Sequence, residues 1–178
     1  MSCAECGLDY ESMPLGEAIA SIRAFPRRYR APLTRLLPGE DDSVLRHRPS
    51  PETWSALEYA AHVRDVFGSC EGWVRQILSE DRPVLEGTGP DQAAVERGSN
   101  EQDPVAVADE VAAAAEMLAA TLEAVPDDAW DRVGLRRGEE RTIAFTARRA
   151  VHEGNHHLLD IGRGLRAVRE QARAGEGV

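Results

Sequence analysis

The stretch RRAVHEGNHHLLDIGRGLR (residues 148–166) has its apolar residues Val151, Leu158, Ile161 and Leu165 in line with Ala147 and Gly154. Spacings of three and four put them on one side of an α-helix, whereas a strand would scatter them over both faces. The stretch therefore reads as a helix with a core-facing stripe. At about 100° per residue, Arg148, Arg149, Arg163 and Arg166 fall on the far side, roughly 100–200° from the stripe, and His152 and His156 fall among them. Glu153 and His157 lie on the opposite flank, roughly 80–120° from its centre, where a side chain can lean into the space between helices. They are four residues apart, close enough to reach one ion.

Working outward, three more helices are expected. LGEAIASIRAFPRRYRAPLTRLL (15–37) is the first, with Pro26 and Pro32 placed to bend or interrupt it. TWSALEYAAHVRDVFGSCEGWVRQILSE (53–80) is the second, and Ser55 with Glu58 has capping-box spacing. DPVAVADEVAAAAEMLAATLEAV (103–125) is the third, with Asp103 and Pro104 at cap and first-turn positions. The fourth runs from about Thr142 to Arg169. No segment alternates as an amphipathic strand does, and there is no internal repeat. The polar connection over residues 81–102 is long enough to carry function. The expected architecture is all-α, an antiparallel four-helix bundle over residues 15–170 with one longer crossover, an N-terminal tail (1–14) and a flexible C-terminal tail (171–178).

Composition narrows the functional classes. A net charge of −10 argues against a nucleic-acid partner, which would need a concentrated basic surface. No apolar run approaches the length of a membrane span, and the start, MSCAECGLDYESM, lacks a basic region followed by an apolar one, so a cytoplasmic protein is expected. All 21 basic residues are arginine, which with the many alanines points to a GC-rich genome of the actinobacterial kind. Cys3, Cys6 and Cys70 are too few for a disulfide framework. CAECG (3–7) has the form of one zinc-ribbon knuckle, but no second C-x-x-C follows and it receives no role.

In the second helix Tyr59, Val63, Val66, Cys70, Trp73, Val74 and Ile77 mark the buried face, and His62 stands at its edge. His62 with Glu153 and His157 makes three protein donors with a position left open, the form of a catalytic zinc site. A histidine at a core border is also commonly just hydrogen-bonded, and the H-x-x-x-H pair His152/His156 offers an alternative set of ligands.

Two segments, RPSPETWSALEYAAHVRDV (48–66) and VHEGNHHLLDIGRGLR (151–166), resemble the DinB-like metal-binding four-helix bundles, which include mycothiol-dependent maleylpyruvate isomerases and bacterial thiol S-transferases. The resemblance implies His62, Glu153 and His157 as metal ligands, because Glu153, His157, Asp160, Ile161, Leu165 and Arg166 fit the family's register in the last helix. It implies a divalent ion, zinc first, and mycothiol or another low-molecular-weight thiol attacking an electrophilic small molecule by S-transfer or isomerisation. Asp160 and Asp65 are the expected partners behind the ligands, and Tyr59, Trp54 and Asn155 the expected pocket lining. A small metal-dependent hydrolase and a non-catalytic metal- or ligand-binding stress protein are the alternatives. Either a monomer or a homodimer is compatible with the sequence.

Overall fold

The computed structural model describes residues 3–9, 12–87, 94 and 96–176. In chain order these form α1 (Leu15–Thr34), a single-turn α2 (Ser43–Arg46), α3 (Ala56–Ser79), α4 (Pro104–Glu123), a hairpin of β1 (Val133–Arg136) and β2 (Glu139–Thr142), and α5 (Ile143–Glu176). The four long helices make the bundle. Among the described residues no helix is long and apolar enough to cross a membrane.

Helix α1 buries Ala18, Ile22, Phe25, Tyr29 and Leu33, a stripe at spacings of three and four. Pro26 and Pro32 lie inside it without ending it. An interior proline costs roughly 3 kcal/mol, while each large apolar side chain taken out of water returns roughly 1.5–3 kcal/mol, so the stripe outweighs the breaks. Helix α5 reaches Glu176 instead of stopping near Arg169, because nothing in REQARA breaks a helix. Residues 171–176 are thus helical where a tail was expected.

Helix α3 starts on a capping box: the Ser55 side chain accepts from the Glu58 amide (3.1 Å) and the Ser55 amide donates to Glu58 Oε2 (2.9 Å). Glu58 is nearly buried and also accepts from Arg48 Nε (2.8 Å) and Nη2 (2.5 Å). Burial opposes the Glu58 charge, but the Arg48 guanidinium and the Ser55 amide outweigh it and hold the carboxyl below the usual range. A carboxyl depressed on folding stabilises above its unfolded pKa, about 4.3, and loses that contribution as pH falls through the folded value. Arg48→Ala should therefore cost about 1.5 kcal/mol at pH 7, allowing for the part-exposed arginine, and much less at pH 3; urea titrations at both pH values check it.

Ion pairs between helices give their directions. On α1 and α4, Arg23 pairs with Glu116 and Glu123, and Arg30 with Asp109, so these helices are antiparallel. On α3 and α4, Arg64 pairs with Glu110 (2.5 Å) and Thr121 donates to Glu71 (3.0 Å), which makes this pair parallel. Helix α5 runs parallel to α1, with Tyr29 at Gly154 and Arg169 beyond it at Glu40, and antiparallel to α3, with His62 at Glu153 and Tyr59 at His157. The bundle is thus up-down-down-up. The connection over 81–102 is the crossover that lets α4 start beside the start of α3.

The β-hairpin was not expected from the sequence. Its turn residues Arg137 and Gly138 both have positive φ (52° and 80°), as a two-residue hairpin turn of the primed kind requires, but Arg-Gly is a weaker signal than Asn-Gly. Its strands are four residues each and mostly polar, so alternation is invisible. Leu135 accepts from the Leu85 amide (2.8 Å) and donates to Pro83 (2.7 Å), tying the hairpin to the segment after α3. This places Arg136 over the Trp73 ring, 4.6 Å from its centroid.

Candidate metal centre

Helix α5 brings Glu153 and His157 to α3 at the level of His62. His62 Nε2 and His157 Nε2 each lie 3.4 Å from Glu153 Oε2. All three donor atoms fall within 4.8 Å of one another. Nitrogen and oxygen donors at about 2.1 Å from an ion, in tetrahedral directions, stand about 3.4 Å apart, so the spacing suits a zinc-sized ion. The three side chains are 12–16% exposed. They sit at the border of the core, where the stripe reading puts Glu153 and His157.

The centre is strongly polarised. Burial opposes charge on Glu153, but hydrogen bonds from His157 and His62, with the Arg149 guanidinium at 2.5 Å, hold its carboxyl far below the usual range. Burial likewise opposes the His157 imidazolium, and Glu153 with Asp160 outweighs it and raises the pKa. Asp160 Oδ2 lies 2.9 Å from His157 Nδ1, the carboxylate–histidine arrangement that fixes a ligand's tautomer and leaves Nε2 for the ion. Tyr59 stacks on His157 (centroids 5.1 Å apart) and Trp54 packs edge-on against His62 (5.3 Å), so two of the three expected lining residues flank the candidate ligand rings.

Two expected neighbours are placed differently. Asp65 lines a cleft beside His62 but is held by Arg64 Nε (2.9 Å) and Arg97 Nη1 (2.7 Å), arginines of its own helix and the crossover, and does not stand behind the His62 ring. Asn155 lines a groove on another side of α5, with Cys6, Leu8, Arg28, Leu158 and Leu159. The cleft beside His62 has a volume of roughly 170 Å³, and its wall includes Ser69, Trp73, Arg97, Ser99 and Arg136. Asp65 shares the wall and pairs with Arg97, so the charge left over there is that of Arg136. Sequence reading missed both arginines, because one lies in the crossover and the other in the hairpin.

The placing of His152 and His156 on a solvent face needs correction. His152 is buried and His156 partly so. Residues 3–9, expected as a tail, fold over this side of α5, and a cover 150 residues distant in sequence leaves no trace in the periodicity of the helix. Cys3 Sγ lies 3.6 Å from His156 Nδ1. A hydrogen bond from His152, then the backbone amides of Cys6 and Glu5, lower the Cys3 pKa to about 6, whereas burial raises that of Cys6. Burial pushes the Cys70 thiol up to about 12, which leaves it inert.

Comparison with known proteins agrees with this architecture. YfiT from Bacillus subtilis, described as a probable metal-dependent hydrolase with an unusual four-helix bundle topology, superposes with a TM-score of 0.77 at 16% identity, over 91% of this chain and 91% of that one. A crystal structure of the mycothiol-dependent maleylpyruvate isomerase gives 0.68 at 16% identity over 87% of this chain, which spans 63% of that protein. No curated protein sequence matches. The sequence profile of the DinB superfamily covers residues 23–161, from the middle of α1 through both candidate ligands on α5 to Ile161. The chain belongs to the DinB superfamily.

Proposed function

We propose that the chain is a metal-dependent enzyme that activates a low-molecular-weight thiol, of the mycothiol kind, for attack on an anionic electrophilic small molecule by S-transfer or thiol-dependent isomerisation. The observation that carries the metal half is the convergence of His62, Glu153 and His157 within 4.8 Å of one another, with each imidazole 3.4 Å from the Glu153 oxygen, beside an open cleft. An ion held there, zinc first, supplies a Lewis acid beside which a thiol gives up its proton near neutral pH.

The chain's own residues do the rest. Asp160 accepts the Nδ1 proton of His157 and keeps Nε2 a donor to the ion. Arg149 shares the Glu153 charge from the outer side, so Glu153 stays ionised in a site that excludes much of the water. Trp54 and Tyr59 shield the ligand rings. Arg136, set over Trp73, faces the cleft with Ser69 and Ser99, a lining suited to a carboxylate-bearing electrophile, while Arg97 in the same wall is paired with Asp65. The thiol half is supported by the mycothiol-dependent neighbour, and the YfiT likeness supports a hydrolytic reading instead.

The two readings separate in one assay. Zinc-loaded protein is expected to consume carboxylated electrophiles, such as activated halides and cis-enediones, only when a small thiol is added. Equal consumption without thiol would replace the proposal by the hydrolase. No turnover with any thiol or ester, despite a filled centre, would leave a binding protein.

A further inference from the structure

The Cys-x-x-Cys motif at the N-terminus has no part in this chemistry, yet it does not stand alone. Donor atoms of Cys3, Cys6, His152 and His156 all lie within 4.8 Å of one another. With zinc–sulfur bonds of about 2.3 Å and zinc–nitrogen bonds of about 2.05 Å, a tetrahedral ion spaces sulfur and nitrogen about 3.6 Å apart. Cys3 Sγ and His156 Nδ1 are 3.6 Å apart. We propose that Cys3, Cys6, His152 and His156 form a second, structural zinc site that fastens the N-terminal segment to α5.

The local backbone is built for it. Gly7 donates to the Cys3 carbonyl (2.8 Å) and the Cys3 amide to Leu8 (3.1 Å), closing a tight reversal around the two cysteines. Gly7 has φ +69°, a conformation glycine adopts freely. The amides of Glu5 and Cys6 hydrogen-bond the Cys3 sulfur and that of Leu8 the Cys6 sulfur, so each sulfur is aimed; the thiolate of Cys3 is favoured, while burial opposes that of Cys6. On the helix side, His152 and His156 are four residues apart, their ring planes 32° from parallel and their centroids 5.3 Å apart.

The surrounding carboxylates complete the set. His156 turns Nδ1 to Cys3, and its Nε2 lies 3.6 Å from Glu5 and 3.7 Å from Asp160, acceptors for the proton that ring carries as a ligand. His152 Nδ1 lies 3.2 Å from Arg149 Nη1 and 3.6 Å from Glu153 Oε1. The Glu153 carboxylate is the acceptor for a proton on Nδ1, and that tautomer leaves Nε2 for the ion. Two thiolates and two neutral imidazoles balance a dication, and four protein ligands leave no open position, as in structural rather than catalytic zinc sites.

The pairs 152/156 and 153/157 are one residue out of register, so a single stretch of α5 presents one pair to the N-terminal segment and the other to α3. His156 and His157 have ring centroids 5.4 Å apart, and Asp160 touches both. The clamp therefore borders the catalytic candidate and holds Glu5 near its edge.

This site is independent of the thiol-transfer reading, and the test keeps them apart. The full-length, untagged chain, purified without chelators, is expected to carry about two zinc ions by plasma mass spectrometry. Cys6→Ser should lose one and His157→Ala the other. Cobalt-substituted wild type should show thiolate-to-cobalt charge transfer in the near ultraviolet, retained in His157→Ala. The spectrum and the alkylation rates of Cys3 and Cys6 are read on wild type, so a misfolded variant does not decide the matter. One ion lost in Cys6→Ser but kept in His157→Ala would support the clamp and sink the catalytic centre. One ion lost only in His157→Ala would overturn the clamp and spare that centre. No thiolate charge transfer, a Cys3–Cys6 disulfide in fresh protein, or alkylation equally fast with zinc and with chelator would each overturn it.

Discussion

Replacing Gly154 by valine is expected to destabilise the protein by about 3 kcal/mol, and by alanine by about 1–2 kcal/mol, while Gly162→Ala, eight residues along the same helix, should be neutral or stabilising by up to about 1 kcal/mol. A Cβ at Gly154 would lie 2.5 Å from Phe25 Cζ and 2.6 Å from Cε2, closer than carbon atoms approach. Phe25 has little room to yield, since its ring packs against Tyr29 (centroids 6.0 Å) and Phe67 (5.6 Å) in the centre of the bundle. The Tyr29 hydroxyl also donates to the Gly154 carbonyl (2.8 Å), a bond that holds α1 and α5 at this distance. The roughly 1 kcal/mol that alanine gains over glycine in a helix offsets only part of the clash. At Gly162 nothing lies within 4 Å of the added carbon, so the propensity gain stands unopposed. For a chain of this size, 3 kcal/mol corresponds to a fall in Tm of about 6–12 °C. Thermal unfolding of the variants measures it, and Phe25→Leu should recover part of the loss in Gly154→Ala. Equal effects at the two glycines would mean that α1 and α5 are not in close contact.

The same contact explains what the sequence could and could not tell. The stripe of Val151, Gly154, Leu158, Ile161 and Leu165 was legible because helix periodicity is a local property, and so was the capping box at Ser55 and Glu58. With them came the flank on which Glu153 and His157 stand, which α3 and His62 meet in the structure. What failed to show was non-local. A cover of residues 3–9 over His152, a hairpin that pairs Leu135 with Leu85, and the crossover that carries Arg97 to the cleft are contacts between distant segments. The cysteine pair was legible as half a zinc knuckle. Its other half was sought as a second C-x-x-C, although the H-x-x-x-H of α5 has metal-binding spacing of its own. The up-down-down-up order was equally hidden, since a long connection is compatible with either direction of α4.

The largest functional effect is expected from His157→Ala, which should weaken zinc binding at the three-residue centre by more than 100-fold. Asp160→Asn should weaken it by about 10–100-fold, the usual cost of losing a partner behind a ligand. Both are best measured in a Cys3→Ser/Cys6→Ser background, so that only one thiolate-free site is titrated. His157 supplies one of three donors, and its loss leaves Glu153 Oε2 with a single imidazole at 3.4 Å, that of His62, too few to hold an ion in competition with water. Asp160 acts at one remove: with the Nδ1 contact at 2.9 Å weakened, the ring is free to turn and Nε2 is no longer committed to the ion. The helix register supplies the control. His156 faces Cys3 and not Glu153, so in this background His156→Ala should leave zinc affinity within about threefold of its parent, the change expected when no ligand or ligand partner is lost. A hundredfold loss in His156→Ala with none in His157→Ala would show that the ion sits between α5 and the N-terminal segment, and that the cleft beside His62 faces no metal.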